Sequence, residues 1–329
     1  MTTHSFTTST VGKGKIFEAL ALSHATGYPL LIIGVHGTAK TKAVLEYASG
    51  FTKSKTFKLE LSEGTRISEI TGYLDMNKLI NEKIEHYIAP ITNADCIVMN
   101  EIDKANSSVR NAMLGIMAEK MIMRGVEEMP LKYNLFVATC NAIDESDEEK
   151  PFWDRFVIKI NSARLTQTNM LETGLILKDV QINFDIPDEK EIMMNTLSIQ
   201  QELIDKYVSV MYEHISDRTL FKSINMISAA MLIWKLSAEE AIIKVTGFIK
   251  ESLVTNMSKL IMSDNIEQHK RHIDKLVSNA RDIPFVMSQL DIYAANIDKT
   301  AGLSTSDKKK LSDYALMRRN ELSAKFVKL

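Results

Sequence analysis

Short apolar runs alternate along the first half of the chain with longer stretches in which apolar residues recur every three or four positions. A short apolar run bounded by Gly, Pro or polar residues is typical of a buried strand, and the longer period of an amphipathic helix. The pattern predicts strands at 28–34, 56–61, 95–99, 135–141 and 156–160. It predicts helices at 13–25, 42–48 and 106–120. Because strands and helices alternate, we expect an α/β fold with a parallel sheet flanked by helices.

The residue pattern changes near residue 165, where an extended stretch that contains proline begins. Helical periodicity dominates from about residue 188. We therefore expect an α/β nucleotide-binding domain at 1–165, a linker at 166–190, a smaller all-α lid domain at 191–265 and a helical C-terminal extension at 266–329. Residues 1–10 are polar and Thr-rich, which predicts a loose lead-in. Residues 66–93 are compatible with a short helix followed either by an inserted hairpin or by a second helix.

Composition narrows the class of protein. The 329 residues are enough for two domains, and 45% apolar with 25% charged residues is ordinary for a globular chain. The 40 basic and 42 acidic side chains give a net charge of −2, which speaks against nucleic acid as a partner but leaves a local basic patch open. Cys96 and Cys140 lie in apolar runs and are expected to be buried thiols, which fits a cytoplasmic location. Neither a signal peptide nor a membrane-inserted helix is predicted.

The stretch IIGVHGTAKT ends an apolar run and then presents Gly34, Gly37, Lys40 and Thr41. It almost fits the phosphate-binding pattern G-x-x-x-x-G-K-[ST], with Ala39 where the second glycine belongs. Backbone N–H groups and the helix dipole favour an anion at such a turn. Lys40 would reach the β- and γ-phosphates of ATP, and the Thr41 hydroxyl would contact Mg²⁺. The alternative is a plain strand–turn–helix with a surface lysine.

Two later strands end on residues that suit the same site. The run CIVMNE ends on Asn100 and Glu101, at the positions where nucleotide hydrolases place a metal-binding acid and a water-orienting glutamate. The run LFVATCN ends on Asn141, whose amide could position water or touch the γ-phosphate. In isolation, Glu101 could equally be an exposed carboxylate, and Asn141 a turn-forming residue.

Two arginines are further candidates for the same site. Arg155, in FWDRF, precedes a predicted strand and could stabilise transition-state charge on the nucleotide of a neighbouring subunit. Its alternative is an ion pair with Asp154 or another acid. Arg218, in ISDRTLFK, begins a helix of the second region, and its alternative is an ordinary surface charge.

Together these residues resemble the MoxR family of AAA+ ATPases, and within it the RavA-like branch, over roughly residues 9–260. The family's loop commonly has alanine before the lysine, as here. The resemblance implies that Asn141 is the sensor 1 residue, Arg155 the arginine finger and Arg218 the sensor 2 residue. By the same resemblance, the nucleotide contacts are Val11, Gly12, Gly34, His36, Gly37, Thr38, Ala39, Lys40 and Thr41, with Val11 and Gly12 near the adenine.

The chain departs from the family pattern at three places. Asn100 stands where the family has aspartate, which lowers the expected affinity for Mg²⁺ and the expected rate of hydrolysis. The dipeptide GR that usually follows the sensor 2 helix is absent, and the tail after residue 265 has no clear counterpart. Glu101 is retained, so the resemblance still implies a working ATPase.

The resemblance implies a homo-oligomeric ring, often a hexamer, in which Arg155 completes the pocket of the next subunit. MoxR relatives are regarded as chaperone-like remodellers that work with partners carrying a von Willebrand factor A domain, and residues 72–93 are a candidate surface for a client protein. Two alternatives stay open. One is a nucleotide-gated scaffold with little hydrolysis, motivated by Asn100. The other is a nucleic-acid motor, against which the near-neutral charge speaks weakly.

Overall fold

The computed structural model of the chain divides it into two compact units, Met1–Glu251 and Ser252–Leu329, and each is described by itself. The structure describes residues 1–329 except 11, 52–54, 73–89, 125–126, 144–145, 147–148, 163, 165–179, 259, 262–269, 271–272, 275–276, 278–282, 297–304 and 327–329. Val11 and most of the candidate client surface at 72–93 therefore lie outside the described residues.

The strands of the described residues are β1 (Thr2–Thr8), β2 (Leu30–Ile33), β3 (Thr56–Glu60), β4 (Cys96–Asn100), β5 (Met121–Arg124), β6 (Glu127–Pro130), β7 (Leu135–Cys140), β8 (Ile158–Asn161) and β9 (Val180–Ile186). The helices are α1 (Gly14–Thr26), α2 (Lys40–Ala48), α3 (Ile67–Thr71), α4 (Ser107–Glu119), α5 (Lys150–Trp153), α6 (Glu189–Ser198), α7 (Gln201–Met211), α8 (Asp217–Trp234), α9 (Ala238–Ile249), α10 (Ile283–Asn296) and α11 (Thr305–Phe326). Short 3₁₀ helices lie at Pro90–Asn93, Ile102–Lys104 and Glu251–Leu253.

Five parallel strands form the central sheet in the order β3-β4-β7-β2-β8. The predicted α/β class is confirmed, as are the five predicted strands. These strands are short and apolar because the sheet is covered on both faces; every residue of β4 and β7 is buried. One face packs against α4 and α5 through a core that includes Met99, Phe136, Met113 and Trp153. Since all five strands are parallel, their carboxyl ends lie at one edge of the sheet.

Residues 1–10 were expected to be a loose lead-in, and this expectation is wrong for most of the segment. β1 pairs in antiparallel register with β9, which lies within the stretch expected to be a linker. The alternation of the segment explains the strand, because His4, Phe6 and Thr8 are buried while the residues between them are exposed. His4 also contacts Tyr47 of α2, with ring centroids 4.3 Å apart.

Helices α6 to α9 follow β9 within the first unit. Three of them begin with a side-chain cap: Asp188 for α6, Ser216 for α8 and Ser237 for α9. Helix α4 also begins with a side-chain cap. The cap is Asn106, whose Oδ1 accepts a hydrogen bond from the Val109 amide at 3.0 Å.

In the second unit, α10 and α11 pack against each other around a small apolar core that includes Leu290 and Ala315. An ion pair joins the two helices, with Arg319 Nε 2.9 Å from Asp291 Oδ1. Among the described residues, no helix has the length and apolarity needed to cross a membrane.

Candidate nucleotide site at the strand ends

A cavity of about 320 Å³ lies at the carboxyl ends of four strands of the central sheet, and we call it the P-loop cavity. It is lined by His36, Gly37, Thr38, Ala39, Lys40, Thr41, Lys42, Lys58, Glu60, Asn100, Glu101, Thr139, Cys140 and Asn141. The structure thus brings together seven of the predicted binding and metal residues with two of the four predicted catalytic residues. Gly12 and Gly34 are described but do not line this cavity.

The loop between β2 and α2 depends on backbone conformations that most side chains resist. A Cβ on Gly34 would lie 2.7 Å from the Ser162 carbonyl oxygen, so this position requires glycine. Gly37 has φ of 77°, and Ala39, the residue before α2, has φ of 57°. A left-handed alanine costs of order 1–3 kcal/mol, and such conformations concentrate at functional sites. The methyl group of Ala39 is therefore compatible with the loop, at a cost in local strain.

Lys40 begins α2 and folds back over the loop. Its Nζ donates to the carbonyl oxygens of Gly34 and Val35, the latter at 3.0 Å. Burial lowers the pKa of Lys40, while Asp103 and Glu101 oppose that shift. The ammonium group is thus held at the amino end of α2, where the helix dipole also favours an anion.

Thr41 and Asn100 meet at the base of the cavity. The Thr41 hydroxyl donates to Asn100 Oδ1 at 3.0 Å, and the Thr139 hydroxyl donates to the same oxygen at 3.3 Å. Asn100 itself is only 4% exposed. The neutral oxygens of Thr41 and Asn100 therefore lie at the predicted metal position, and Asn100 replaces the acid that nucleotide hydrolases place there. They suit Mg²⁺, which prefers oxygen ligands, but they carry no charge.

Glu101 follows β4 in a left-handed conformation, with φ of 55°. Its Oε2 accepts from Lys104 Nζ at 2.6 Å, and its Oε1 lies 3.4 Å from His36 Nδ1. The hydrogen bond from Lys104 lowers the pKa of Glu101. The strained backbone turns the carboxylate toward the loop instead of continuing the strand, which is the placement expected of a water-orienting residue.

Asn141 is fixed by Asp103, which the sequence interpretation did not identify. Asp103 Oδ2 accepts from the Asn141 backbone amide at 3.2 Å and from its Nδ2 at 3.5 Å. The sequence offered one signal for this role, since Asp103 comes only two residues after the candidate site residue Glu101. Lys42, which follows the loop in α2, was also missed. Lys58, Glu60 and Thr139 were missed because their place at the cavity depends on which strands are neighbours.

The two arginines lie elsewhere. Neither Arg155 nor Arg218 lines the P-loop cavity. Arg218 Nη1 lies 4.0 Å from Asp154 Oδ2, and Asp154 also accepts from the Ser216 hydroxyl at 2.8 Å. The buried Nε of Arg155 has no hydrogen-bond partner among the described residues. The ion pair considered for Arg155 with Asp154 is thus formed by Arg218 instead, at the limit of contact distance.

Comparison with known proteins identifies the family. A sequence model described as the MoxR domain in the MoxR-vWA-beta-propeller ternary systems matches residues 1–201. The chain belongs to this MoxR family of AAA+ ATPases. The resemblance inferred from the motifs is therefore confirmed at the level of the family.

Three individual proteins resemble the chain at 26–30% sequence identity. The chain is similar to structural protein ORF618 of Acidianus two-tailed virus, with 30% identity over 45% of this chain and 25% of that protein. It is also similar to two uncharacterised proteins of Methanocaldococcus jannaschii, MJ0812 and MJ0079, at 27% and 26% identity over 64% and 60% of this chain. The matches span 60% and 55% of those two proteins, so all three relatives extend beyond the matched part.

The fold also resembles a solved structure. A protein described as a candidate ATPase from Cytophaga hutchinsonii superposes with a TM-score of 0.58 at 20% identity. The match covers 73% of this chain and 82% of that one. At this identity the likeness bears on the fold alone, and it agrees with an AAA+ α/β module accompanied by helices.

Proposed function

We propose that this MoxR protein binds ATP with Mg²⁺ in the P-loop cavity, hydrolyses it, and uses the energy to remodel or activate a partner protein. The observation that carries the proposal is the convergence of one loop and two strand ends. Lys40 and Thr41, Asn100 with Glu101, and Asn141 line a single cavity although they are distant in sequence. This is the set of groups that phosphoryl transfer requires.

Each group has a task that follows from its position. The backbone amides at the start of α2 and the Lys40 ammonium bind the phosphates. Thr41 and Asn100 would hold Mg²⁺, which would neutralise phosphate charge when bound. Glu101 orients the attacking water, and the hydrogen bond from Lys104, which lowers its pKa, holds the carboxylate in place. Asn141, fixed by Asp103, is placed to hydrogen-bond the γ-phosphate or that water.

The arginines serve a neighbouring subunit in this proposal. Arg218 lies 4.0 Å from Asp154, the residue that precedes Arg155 in the chain, and neither arginine lines the cavity of its own chain. We therefore assign both the arginine-finger and the sensor 2 role to the face that meets the next subunit of a homo-oligomeric ring, with a hexamer as the proposed stoichiometry.

The proposed partner carries a von Willebrand factor A domain, because the matching family is defined in systems that contain one. A RavA-like position within the family and a chaperone-like action on a client remain predictions. We also retain the cytoplasm as the proposed compartment, since Cys96 and Cys140 are free, buried thiols whose pKa values are raised to about 12 by burial.

Steady-state hydrolysis tests the proposal. Wild-type protein should hydrolyse ATP only with Mg²⁺. Lys40→Ala should abolish activity by removing phosphate binding. Glu101→Gln should lower the rate by about 10²–10⁴-fold while nucleotide binding survives, because the water loses its orienting base. Equal activity in all three proteins would refute the assignment.

Asn100 favours a second candidate function, a nucleotide-gated scaffold that binds ATP and hardly hydrolyses it. Its neutral amide provides less attraction for Mg²⁺ than a carboxylate would. Under this alternative, wild-type protein should bind ATP through Lys40 and show a rate no higher than that of Glu101→Gln. A wild-type rate well above that of Glu101→Gln would exclude the scaffold.

A further inference from the structure

We propose that Glu60 supplies the carboxylate that Asn100 lacks, so that the metal position of the P-loop cavity keeps its negative charge on a neighbouring strand. This inference rests on the proposed function, because it concerns the Mg²⁺ that accompanies a bound nucleotide.

The strand register places Glu60 beside Asn100. The two residues are partners in the parallel pairing of β3 with β4. The backbone amide of Leu61 then donates to the Asn100 carbonyl at 2.9 Å, which fixes the end of the pairing. Neighbouring strands lie about 4.8 Å apart, and partners in register project from the same face of a sheet. The Glu60 carboxylate and the Asn100 amide therefore start from adjacent points on one surface.

The packing identifies that surface. Leu59 and Met99, which precede the two residues, pack into the core on the opposite face of the sheet. Glu60 and Asn100 line the P-loop cavity, and so does Lys58, two residues before Glu60. The alternation along β3 and β4 thus turns both side chains toward Thr41 rather than toward the core.

The charges of the cavity leave a place for this carboxylate. The Glu101 carboxylate already has two partners, with Lys104 Nζ 2.6 Å from Oε2 and His36 Nδ1 3.4 Å from Oε1. Glu60 is exposed, no hydrogen bond or ion pair joins it to another described residue, and its charge contributes to the raised pKa of Lys104. Mg²⁺ usually keeps several waters and is held by one or two carboxylates together with substrate phosphates. A glutamate on the neighbouring strand can therefore contact a metal-bound water while Asn100 accepts from Thr41.

Nucleotide affinity with and without metal tests the inference. ATP binding is measured by calorimetry for wild type, Glu60→Gln and the control Glu63→Gln, first in saturating Mg²⁺ and then in EDTA. Glu63 is exposed, follows the same strand and does not line the cavity. Loss of a group around a metal typically weakens metal affinity by 10–100-fold, so Glu60→Gln should bind Mg-ATP about tenfold more weakly than wild type. Its affinity in EDTA, and both affinities of Glu63→Gln, should match wild type. If Glu60→Gln gains as much affinity from Mg²⁺ as wild type, the inference is wrong.

A second variant tests whether the charge can be exchanged between the strands. Adding Asn100→Asp to Glu60→Gln should restore the wild-type response to Mg²⁺, whereas a double variant as weak as Glu60→Gln would overturn the inference. The proposed function fails separately. Binding that depends on Lys40 but is indifferent to Glu60 rejects this inference alone, and absence of any ATP binding by wild type rejects both.

Discussion

The two ends of the central sheet differ in whether the candidate functional groups of one chain come together there. At the carboxyl ends, α2, β3, β4 and β7 bring the groups that we propose to contact phosphate, metal and water around one cavity. At the amino end of β8, Asp154, which precedes Arg155, contacts Ser216 and Arg218 at the start of α8, and neither arginine lines the cavity. Asn161 is the register partner of Ile33, at the far end of β8 from Arg155. At about 3.3 Å per residue, β8 alone spans roughly 13 Å.

This difference predicts that ATP binding needs one subunit, whereas ATP hydrolysis needs two. The groups that we propose to bind nucleotide and metal belong to one subunit, so binding should survive the loss of either arginine. In the proposed function an arginine stabilises the charge that develops during phosphoryl transfer, and neither Arg155 nor Arg218 lines the cavity of its own chain. Hydrolysis should therefore depend on a second copy of the chain.

The largest predicted effect is that of Arg155→Ala. Arginine fingers contribute 10³–10⁵-fold to phosphoryl-transfer rates, so hydrolysis should fall about 10³-fold or more. The dissociation constant for ATP should stay at the wild-type value. Hydrolysis assays and calorimetry on the same preparations measure the two quantities, with the exposed Arg164→Ala as a matched control.

Mixing two inactive variants identifies which subunit supplies the arginine. Lys40→Ala retains Arg155, and Arg155→Ala retains the loop, so a mixed oligomer contains complete sites. Activity should reappear on mixing. If mixtures show only the average of the two separate activities, then Arg155 does not act on a neighbour.

A smaller effect concerns the support of α2 at the carboxyl-end site. His24 Nδ1 lies 3.0 Å from the Tyr47 hydroxyl, and burial lowers the pKa of His24 from 6.5 to about 4. The unfolded chain therefore binds a proton that the folded chain resists. Stability from this group is present above pH 6.5 and is lost as the pH falls toward 4.

His24→Gln should flatten that dependence. Between pH 7 and pH 4, wild type should lose roughly 3 kcal/mol more unfolding free energy than the variant, at about 1.4 kcal/mol for each pKa unit. Urea unfolding across this pH range is the measurement, and the exposed His214→Gln should follow wild type. Parallel curves for wild type and His24→Gln would show that His24 is not the responsible group.

The smallest effect is at the amino end of the sheet. Asp154 accepts from Ser216, the cap of α8, and removing a hydrogen bond to a charged group costs about 1.5–3 kcal/mol. Asp154→Ala should therefore destabilise the protein by about 2 kcal/mol. It should also lower the rate of hydrolysis without weakening ATP binding. Asp217→Ala, an exposed acid in the same helix turn, should change stability by about 0.5 kcal/mol. An Asp154→Ala variant with weakened ATP binding would contradict the division between the two ends.

Local signals explain what the sequence predicted well. The apolar runs of β2, β4 and β7 are buried on both faces, so their composition alone identifies them, and the polar residues at their ends then locate the site. The loop before α2 is equally local, since glycine and lysine spacing encodes it.

Nonlocal pairing explains the failures. The alternating residues of β1 form a strand because β9, far along the chain, pairs with them. The Thr-rich sequence of residues 1–10 does not by itself indicate that pairing. Glu60 and Thr139 line the cavity only because β3 and β7 flank β4, an order that single-strand patterns do not contain. The position of Arg218 likewise depends on the Ser216–Asp154 contact between distant segments.

The most direct test is calorimetric titration of ATP with Mg²⁺ into wild type, Lys40→Ala and the control Lys132→Ala, an exposed lysine outside the cavity. The wild type and the control should bind one ATP per chain with the same affinity, and Lys40→Ala should give no measurable heat. Equal binding by Lys40→Ala, or no binding by wild type, would contradict the assignment of the P-loop cavity as the nucleotide site.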